Sequence, residues 1–247
     1  MRIALLADVH ANREALEACL AHARREGADR FVFLGDLVGY GADPELVLEA
    51  AAGLCAQGGQ ALLGNHDAAM LNGPERAMRE DAREAVVWTR PLLTVAHRRF
   101  LAALPLLAEG PDSLYVHANA WQPSEWEYVA TSTEAGRSLA ATHSRLTFCG
   151  HIHVPALYHQ GPLGRVAEFA PVPGVAVPLG SRHRWLAVLG SVGQPRDGNP
   201  AACYAVHDVK RRQLTFHRVP YDVEGAARRI VERGLPAWLG ARLEAGG

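Results

Sequence analysis

The chain has 247 residues, 49% hydrophobic and 21% charged, with a formal net charge of −1. That length buries a full core. The near-neutral balance argues against nucleic-acid binding by bulk electrostatics, and no apolar stretch approaches a membrane-spanning length.

The first 65 residues alternate strand and helix. "RIALLA" is a short apolar run. In "NREALEACLAHARREG", Leu16, Cys19, Leu20 and Ala23 recur at helical spacing, with Asn12 as cap and Gly27 as stop. "RFVFLG" reads as a second strand. Asp43-Pro44-Glu45 then opens a helix, with a capping aspartate, a first-turn proline and an acidic residue at the positive dipole end. "QALLG" reads as a third strand. Repeats of this length predict parallel pairing through right-handed crossovers.

Residues 75–104 are helical in pattern, interrupted near Pro91, and "SLYVHA" and "RLTFCG" are strands separated by a helix over 132–142. After Val154 come short runs and turns: "ALYHQ", "GPLG", "RVAEFA", "RWLAVLG", "ACYAVHD" and "QLTFHRV". Their spacing predicts a second, largely antiparallel sheet. Two short helices, Val223–Arg233 and Pro236–Leu243, close the chain. With no repeat and no low-complexity linker, one domain over residues 1–247 is expected. "MRIALLADVH" is too short a run for a signal peptide, and Asp8 ends it. The four cysteines form no C-x-x-C; Cys19 and Cys149 read as core residues, which suits a reducing cytoplasm.

Open α/β sheets place ligands at the C-terminal ends of their strands. Five strands here end in polar residues of one chemical kind: Asp8-Val9-His10, Gly35-Asp36, Gly64-Asn65-His66-Asp67, His117, and Gly150-His151-Ile152-His153. Each has an ordinary reading as a cap or a turn. Five at one edge do not, because buried polar groups are costly unless paired. A metal pair would satisfy carboxylate, amide and imidazole together. Mixed oxygen and imidazole donors suit Mn, Fe, Co, Ni or Zn better than Mg or Ca.

In this order and spacing, "DVH", "GDLVG", "GNHD", "YVH" and "GHIH" resemble the five-motif signature of calcineurin-like metallophosphoesterases, over residues 1–155. The later "LGSVGQPRDGNPAACYAVHD" is similar to the tail of small bacterial members that are phosphodiesterase-like or diadenosine-tetraphosphatase-like. The resemblance implies an α/β fold of two packed mixed β-sheets flanked by helices, a four-layer α-β-β-α sandwich. It also implies two divalent transition-metal ions, manganese first among them. Asp8, His10 and His153 would hold one ion and Asn65, His117 and His151 the other, with Asp36 bridging. A hydroxide between the ions would attack phosphorus. His66 would protonate the leaving oxygen or stabilise equatorial charge, with Asp67 orienting its ring; otherwise Asp67 caps the following helix.

Many relatives carry glycine where Val116 precedes His117, and Ala118-Asn119 follow here, so contacts near the fourth motif are expected to differ. In "NAWQPSEWEYV", the rings of Trp121, Trp126 and Tyr128 could stack on a nucleobase or pack under the loop. Tyr40 and Asn119 are candidate substrate contacts, with plain packing the alternative for Tyr40; Arg196 is a candidate phosphate clamp, since guanidinium suits phosphate oxygens, or else a surface-loop arginine.

The expected activity is metal-dependent hydrolysis of a phosphodiester or nucleotide-type phosphoester, on a small substrate, without a membrane or nucleic-acid partner. The alternatives are a phosphomonoester or protein phosphatase and a non-catalytic protein-binding scaffold on the same fold. No arginine adjoins Gly-Asn-His-Asp, which disfavours the protein phosphatase. All seven ligand positions and His66 are present, which disfavours the scaffold. Whether the chain forms a homo-oligomer is open.

Overall fold

The computed structural model describes residues 1–75 and 78–247. Two six-stranded mixed sheets pack face to face with helices on both outer sides. The first sheet runs β3 (Gln60–Ala61), β2 (Arg30–Phe33), β1 (Arg2–Leu6), β11 (Ala202–Asp208), β12 (Gln213–Val219) and β9 (Ala176–Pro178). The second runs β4 (Leu107–Glu109), β5 (Ser113–Val116), β6 (Leu146–Cys149), β10 (Arg184–Val188), β7 (Ala156–Gln160) and β8 (Val166–Phe169). The expected four-layer sandwich is what the chain forms. Among the described residues no helix is long and apolar enough to cross a membrane.

Side-chain alternation explains why the strands read as unbroken apolar runs. Along β1, Ile3 and Leu5 face the second sheet and meet Leu146, Phe148 and Trp185 in the central core. Ala4 and Leu6 point the other way, into a core shared with Leu16 and Leu20 of α1 (Arg13–Arg25) and Val47 and Ala51 of α2 (Pro44–Ala56). On the far side, Val116, Leu186 and Val188 pack against Ala135 and Leu139 of α6 (Ser132–Ala140). Cys19 and Cys149 are buried in these outer cores.

The later strands do not form a sheet of their own. β11 pairs antiparallel with β1, and β10 pairs parallel with β6. Each late run thus extends one of the two sheets that bear the motifs, and residues 156–219 divide between them. Period-2 alternation marks a buried strand without specifying its neighbour, and the expected separate antiparallel sheet does not form. "GPLG" is a turn.

Asn12 caps α1 as expected, accepting from the Ala15 amide at 3.0 Å. Asp43 stands at the N-cap of α2 but makes no capping bond. Its carboxylate receives Nε and Nη2 of Arg229 instead. Arg229 lies on α7 (Val223–Glu232), which with α8 (Ala237–Ala245) packs on Tyr40 and on α4 (Glu80–Thr89). The helical pattern read from residue 75 begins at Glu80 and breaks at Arg90–Leu92; residues 76 and 77 lie outside the described ones.

Candidate metal centre

β1, β2 and β3 run parallel, as do β5 and β6. Face-to-face packing brings the C-terminal ends of both sets to one rim. The polar residues read from the sequence therefore meet across two sheets, not along one edge. The Asp8 carboxylate bridges the gap: its Oδ2 accepts from the His151 amide at 2.9 Å.

Reaching inward bends the backbone. Among the described residues nine non-glycines have positive φ, and eight belong to this rim: Asp8, His10, Ala11, Asp36, Tyr40, Trp126, His151 and His153. Each such residue costs about 1–2 kcal/mol. Gly35 is required where it stands, at φ +90, since a Cβ there would come within 2.8 Å of both the Gly64 amide nitrogen and His117 Nδ1. Left-handed backbone at His151 and again at His153 accompanies two imidazoles that face different neighbours, His117 and His10.

Hydrogen bonds to carbonyls fix how four of the rings present themselves. His10 Nδ1 donates to Val38 O (3.1 Å), His153 Nδ1 to Gln194 O (2.6 Å), His117 Nδ1 to Leu34 O (2.7 Å) and His151 Nε2 to Trp126 O (2.8 Å). A neutral imidazole has one N–H, so the other nitrogen of each ring offers a lone pair. Those nitrogens face one another: His10 Nε2 to His153 Nε2 at 3.0 Å, and His117 Nε2 to His151 Nδ1 at 3.1 Å. Asn65 Oδ1 is 3.1 Å from His117 Nε2. Asp8 Oδ1 is 3.5 Å from His153 Nε2 and, though buried, has no hydrogen-bond partner among the described residues. Asp36 Oδ2 lies between the groups, 3.7 Å from His10 Nε2 and 3.5 Å from His117 Nε2.

Acceptors facing acceptors in a buried space are unfavourable unless a cation lies between them. Two carboxylate–imidazole groups here could hold one, Asp8-His10-His153 and Asp36-His117-His151; a third set joins His66 to His10 and Asp36. The donors present thus fit divalent transition ions.

The charges follow the same geometry. Burial takes His10 and His153 well below the usual imidazole value and His151 down to about 3. Burial acts on His117 too, but the Asp36 and Asp8 carboxylates outweigh it and lift the ring to about 9; near neutral pH its Nε2 thus holds a proton, which a cation at that place would displace. Burial also opposes ionisation of Asp36, yet the His117, His66 and His10 imidazoles hold it well below the carboxylate range. Asp8 goes up to about 7, through burial first.

A model of the calcineurin-like phosphoesterase superfamily domain matches residues 1–212. The chain belongs to this superfamily. An uncharacterised protein of Methanocaldococcus jannaschii is 33% identical over 256 residues, covering 98% of this chain and 96% of its own. The crystal structure of a metallophosphoesterase from Sphaerobacter thermophilus is 36% identical at a TM-score of 0.88, covering 100% and 99%. A hypothetical protein of Pyrococcus horikoshii, 19% identical at a TM-score of 0.80 and covering 100% and 98%, shares the fold. The superfamily consists of phosphoesterase hydrolases that typically bind divalent metals.

Around the clustered side chains of this phosphoesterase-superfamily chain opens a cleft of about 230 Å³. Tyr40, His66 and Arg196 line it. The Tyr40 ring lies 4.5 Å from that of His66 and 4.8 Å from that of His10. His66 is buried, its pKa lowered by that burial, and its Nδ1 has no hydrogen-bond partner among the described residues.

Three expected side chains do other work. Asp67 does not touch the His66 ring: Oδ1 accepts from the amides of Leu37 and Val38 at 3.0 and 3.2 Å, and Oδ2 from Gly64 at 3.1 Å. It caps α3 (Asn65–Asn72) and ties that cap to the Asp36 turn. Asn119 is fully buried and staples its own loop, donating to Glu127 O and accepting from Gln122 N, both at 2.9 Å. Trp121 packs toward α6 under the Arg137 guanidinium, 4.5 Å away. The cleft is instead lined by Trp126 and Tyr128, and by Arg79, which the sequence reading passed over. The carbonyls that orient the imidazoles were also missed, and a backbone oxygen leaves no mark in residue type.

Proposed function

We propose that the chain is a phosphoesterase with two divalent transition ions, manganese the leading choice, acting on a phosphodiester or nucleotide-type phosphoester in the cytoplasm. Asp8, His10 and His153 hold one ion, Asn65, His117 and His151 the other, and Asp36 is shared. The observation that carries this reading is the pair of acceptor clusters facing inward with Asp36 Oδ2 between them. Two such ions polarise a phosphoryl group and make water nucleophilic at neutral pH.

The chain's own residues do the rest. Arg196 lines the cleft, and no carboxylate is paired to it among the described residues, which suits a phosphoryl oxygen. His66 stands where a ring nitrogen lies within 4.8 Å of ligand atoms of His10 and Asp36. From there it protonates the leaving oxygen or stabilises equatorial charge. Its amide donates to Asp36 Oδ1 at 2.9 Å, which locks the ring's backbone to the shared carboxylate.

The test is to strip the protein of metal, add Mn²⁺, and assay bis-p-nitrophenyl phosphate beside p-nitrophenyl phosphate. Metal-dependent cleavage favouring the diester is expected. Preference for the monoester would make it a phosphatase. No turnover of either with both ions bound would favour a scaffold.

A further inference from the structure

One end of the cleft carries a feature the proposed chemistry leaves unused. Tyr128 is 49% exposed, yet its ring is stacked on His151 with centroids 4.4 Å apart and planes at 22°. Trp126 stands edge-on to His117 at 5.8 Å. An exposed ring on a surface loop is ordinarily mobile. This loop is pinned four times over. Asn119 bonds Glu127 O and Gln122 N, the Glu127 carboxylate pairs with Arg137 at 3.1 Å, and Trp126 O receives the His151 N–H. The pinning holds one face of Tyr128 on a buried imidazole and leaves the rest open. Such a ring is preorganised for stacking, because little of its freedom remains to be lost.

The opposite end is chemically different. There Arg196 lies 5.8 Å from the Tyr40 ring and bonds Gln194 Oε1 at 2.9 Å, next to His10 and His153. The cleft therefore presents two aromatic rings toward His117 and His151 and the Arg196 guanidinium toward His10 and His153, with Glu75, Arg79 and Glu125 also in its lining. Its size, about 230 Å³, is small for a ligand pocket, where roughly 300–1,000 Å³ is usual.

We propose that Tyr128, flanked by Trp126, is a specificity-determining shelf for phosphoesters that carry a flat ring on one ester arm, with the ring on the shelf and the phosphoryl oxygens toward Arg196. The inference rests on the phosphoesterase reading above. A nucleobase and a simple aryl group share the required chemistry.

The test measures binding by calorimetry to the Mn²⁺-loaded protein, with thymidine 5′-monophosphate, phenyl phosphate and methyl phosphate as probes. Wild type, Tyr128→Phe and Tyr128→Ala are compared, and the metal content of each is measured. Ring-bearing probes should bind wild type and Tyr128→Phe about tenfold more tightly than methyl phosphate, and Tyr128→Ala should lose that preference. Preference for the nucleotide alone identifies a nucleobase; equal preference for phenyl phosphate identifies any flat ring. Equal binding of all three probes to wild type overturns the shelf, as does a preference that survives in Tyr128→Ala. Loss of metal from Tyr128→Ala also overturns it, since Tyr128 would then merely position His151. A ring preference without any diester turnover overturns the phosphoesterase reading, and the substrate claim with it. That result is distinct from failure of the shelf.

Discussion

His10 and His153 meet nitrogen to nitrogen at 3.0 Å, although one follows β1 and the other follows β6 of the opposite sheet. Both rings donate from their far nitrogens to carbonyls. A cation between them would join the two sheets at the rim where the backbone is most bent. Binding that favours the folded state raises stability by about 2.7 kcal/mol per site at a hundredfold excess over Kd. In a chain of this size that is roughly 5–10 °C per ion. Thermal melts of chelator-treated protein should rise by this much with Mn²⁺ and fall back with chelator. A melting temperature indifferent to metal would remove the proposed centre.

Asp36 is the residue whose loss should be felt by both ions. Its Oδ2 is close to His10 and His117 alike, and its Oδ1 accepts from the His66 amide. In Asp36→Asn one oxygen becomes an amide donor facing lone pairs, while the volume is kept. Metal content by elemental analysis should fall from two ions per chain to one or none. His151→Ala, which disturbs only the second cluster, should retain about one. Two tightly held ions in Asp36→Asn would show that the carboxylate is not shared.

Much of the centre was legible in the sequence because each ligand-type side chain follows an apolar run, and strand ends are where open sheets expose polar groups. What escaped was non-local. The pairing of β11 with β1 and of β10 with β6 depends on partners about 200 and 40 residues away along the chain, and alternation carries no address. The left-handed conformation of Asp8, Asp36, His151 and His153 follows from convergence at the rim, since none of them is a glycine. Asn119 looked like a cleft residue by proximity to His117, but a fully buried amide must satisfy both its ends, and its own loop supplies the partners.

Of the two readings of Asp67 the helix cap is the one the structure shows, because an acid next to His66 in sequence need not face its ring. Its carboxylate holds three backbone amides that have no other partner among the described residues. Asp67→Asn keeps one oxygen and turns an N–H₂ toward at least one amide donor. Leaving a buried donor unsatisfied costs about 1–3 kcal/mol, so urea unfolding should show a loss of that size, and turnover should change mainly through the population folded. Unchanged stability with sharply reduced turnover would restore an orienting role for Asp67.

His66 sits against Tyr40 and His10 and reaches the cleft, but it lies outside both proposed ion sites. His66→Asn should therefore keep two ions and a near-native melt while turnover drops about 10²–10⁴-fold, the range for a general acid. The acid role carries a further signature. Proton donation matters most when the departing alcohol is a weak acid, so the loss should be larger for an alkyl leaving group than for p-nitrophenolate. Equal losses across leaving groups would assign His66 to the equatorial oxygens instead, where charge develops whatever group departs. Loss of metal together with turnover would make the ring a support for His10, which it touches edge-on at 4.9 Å.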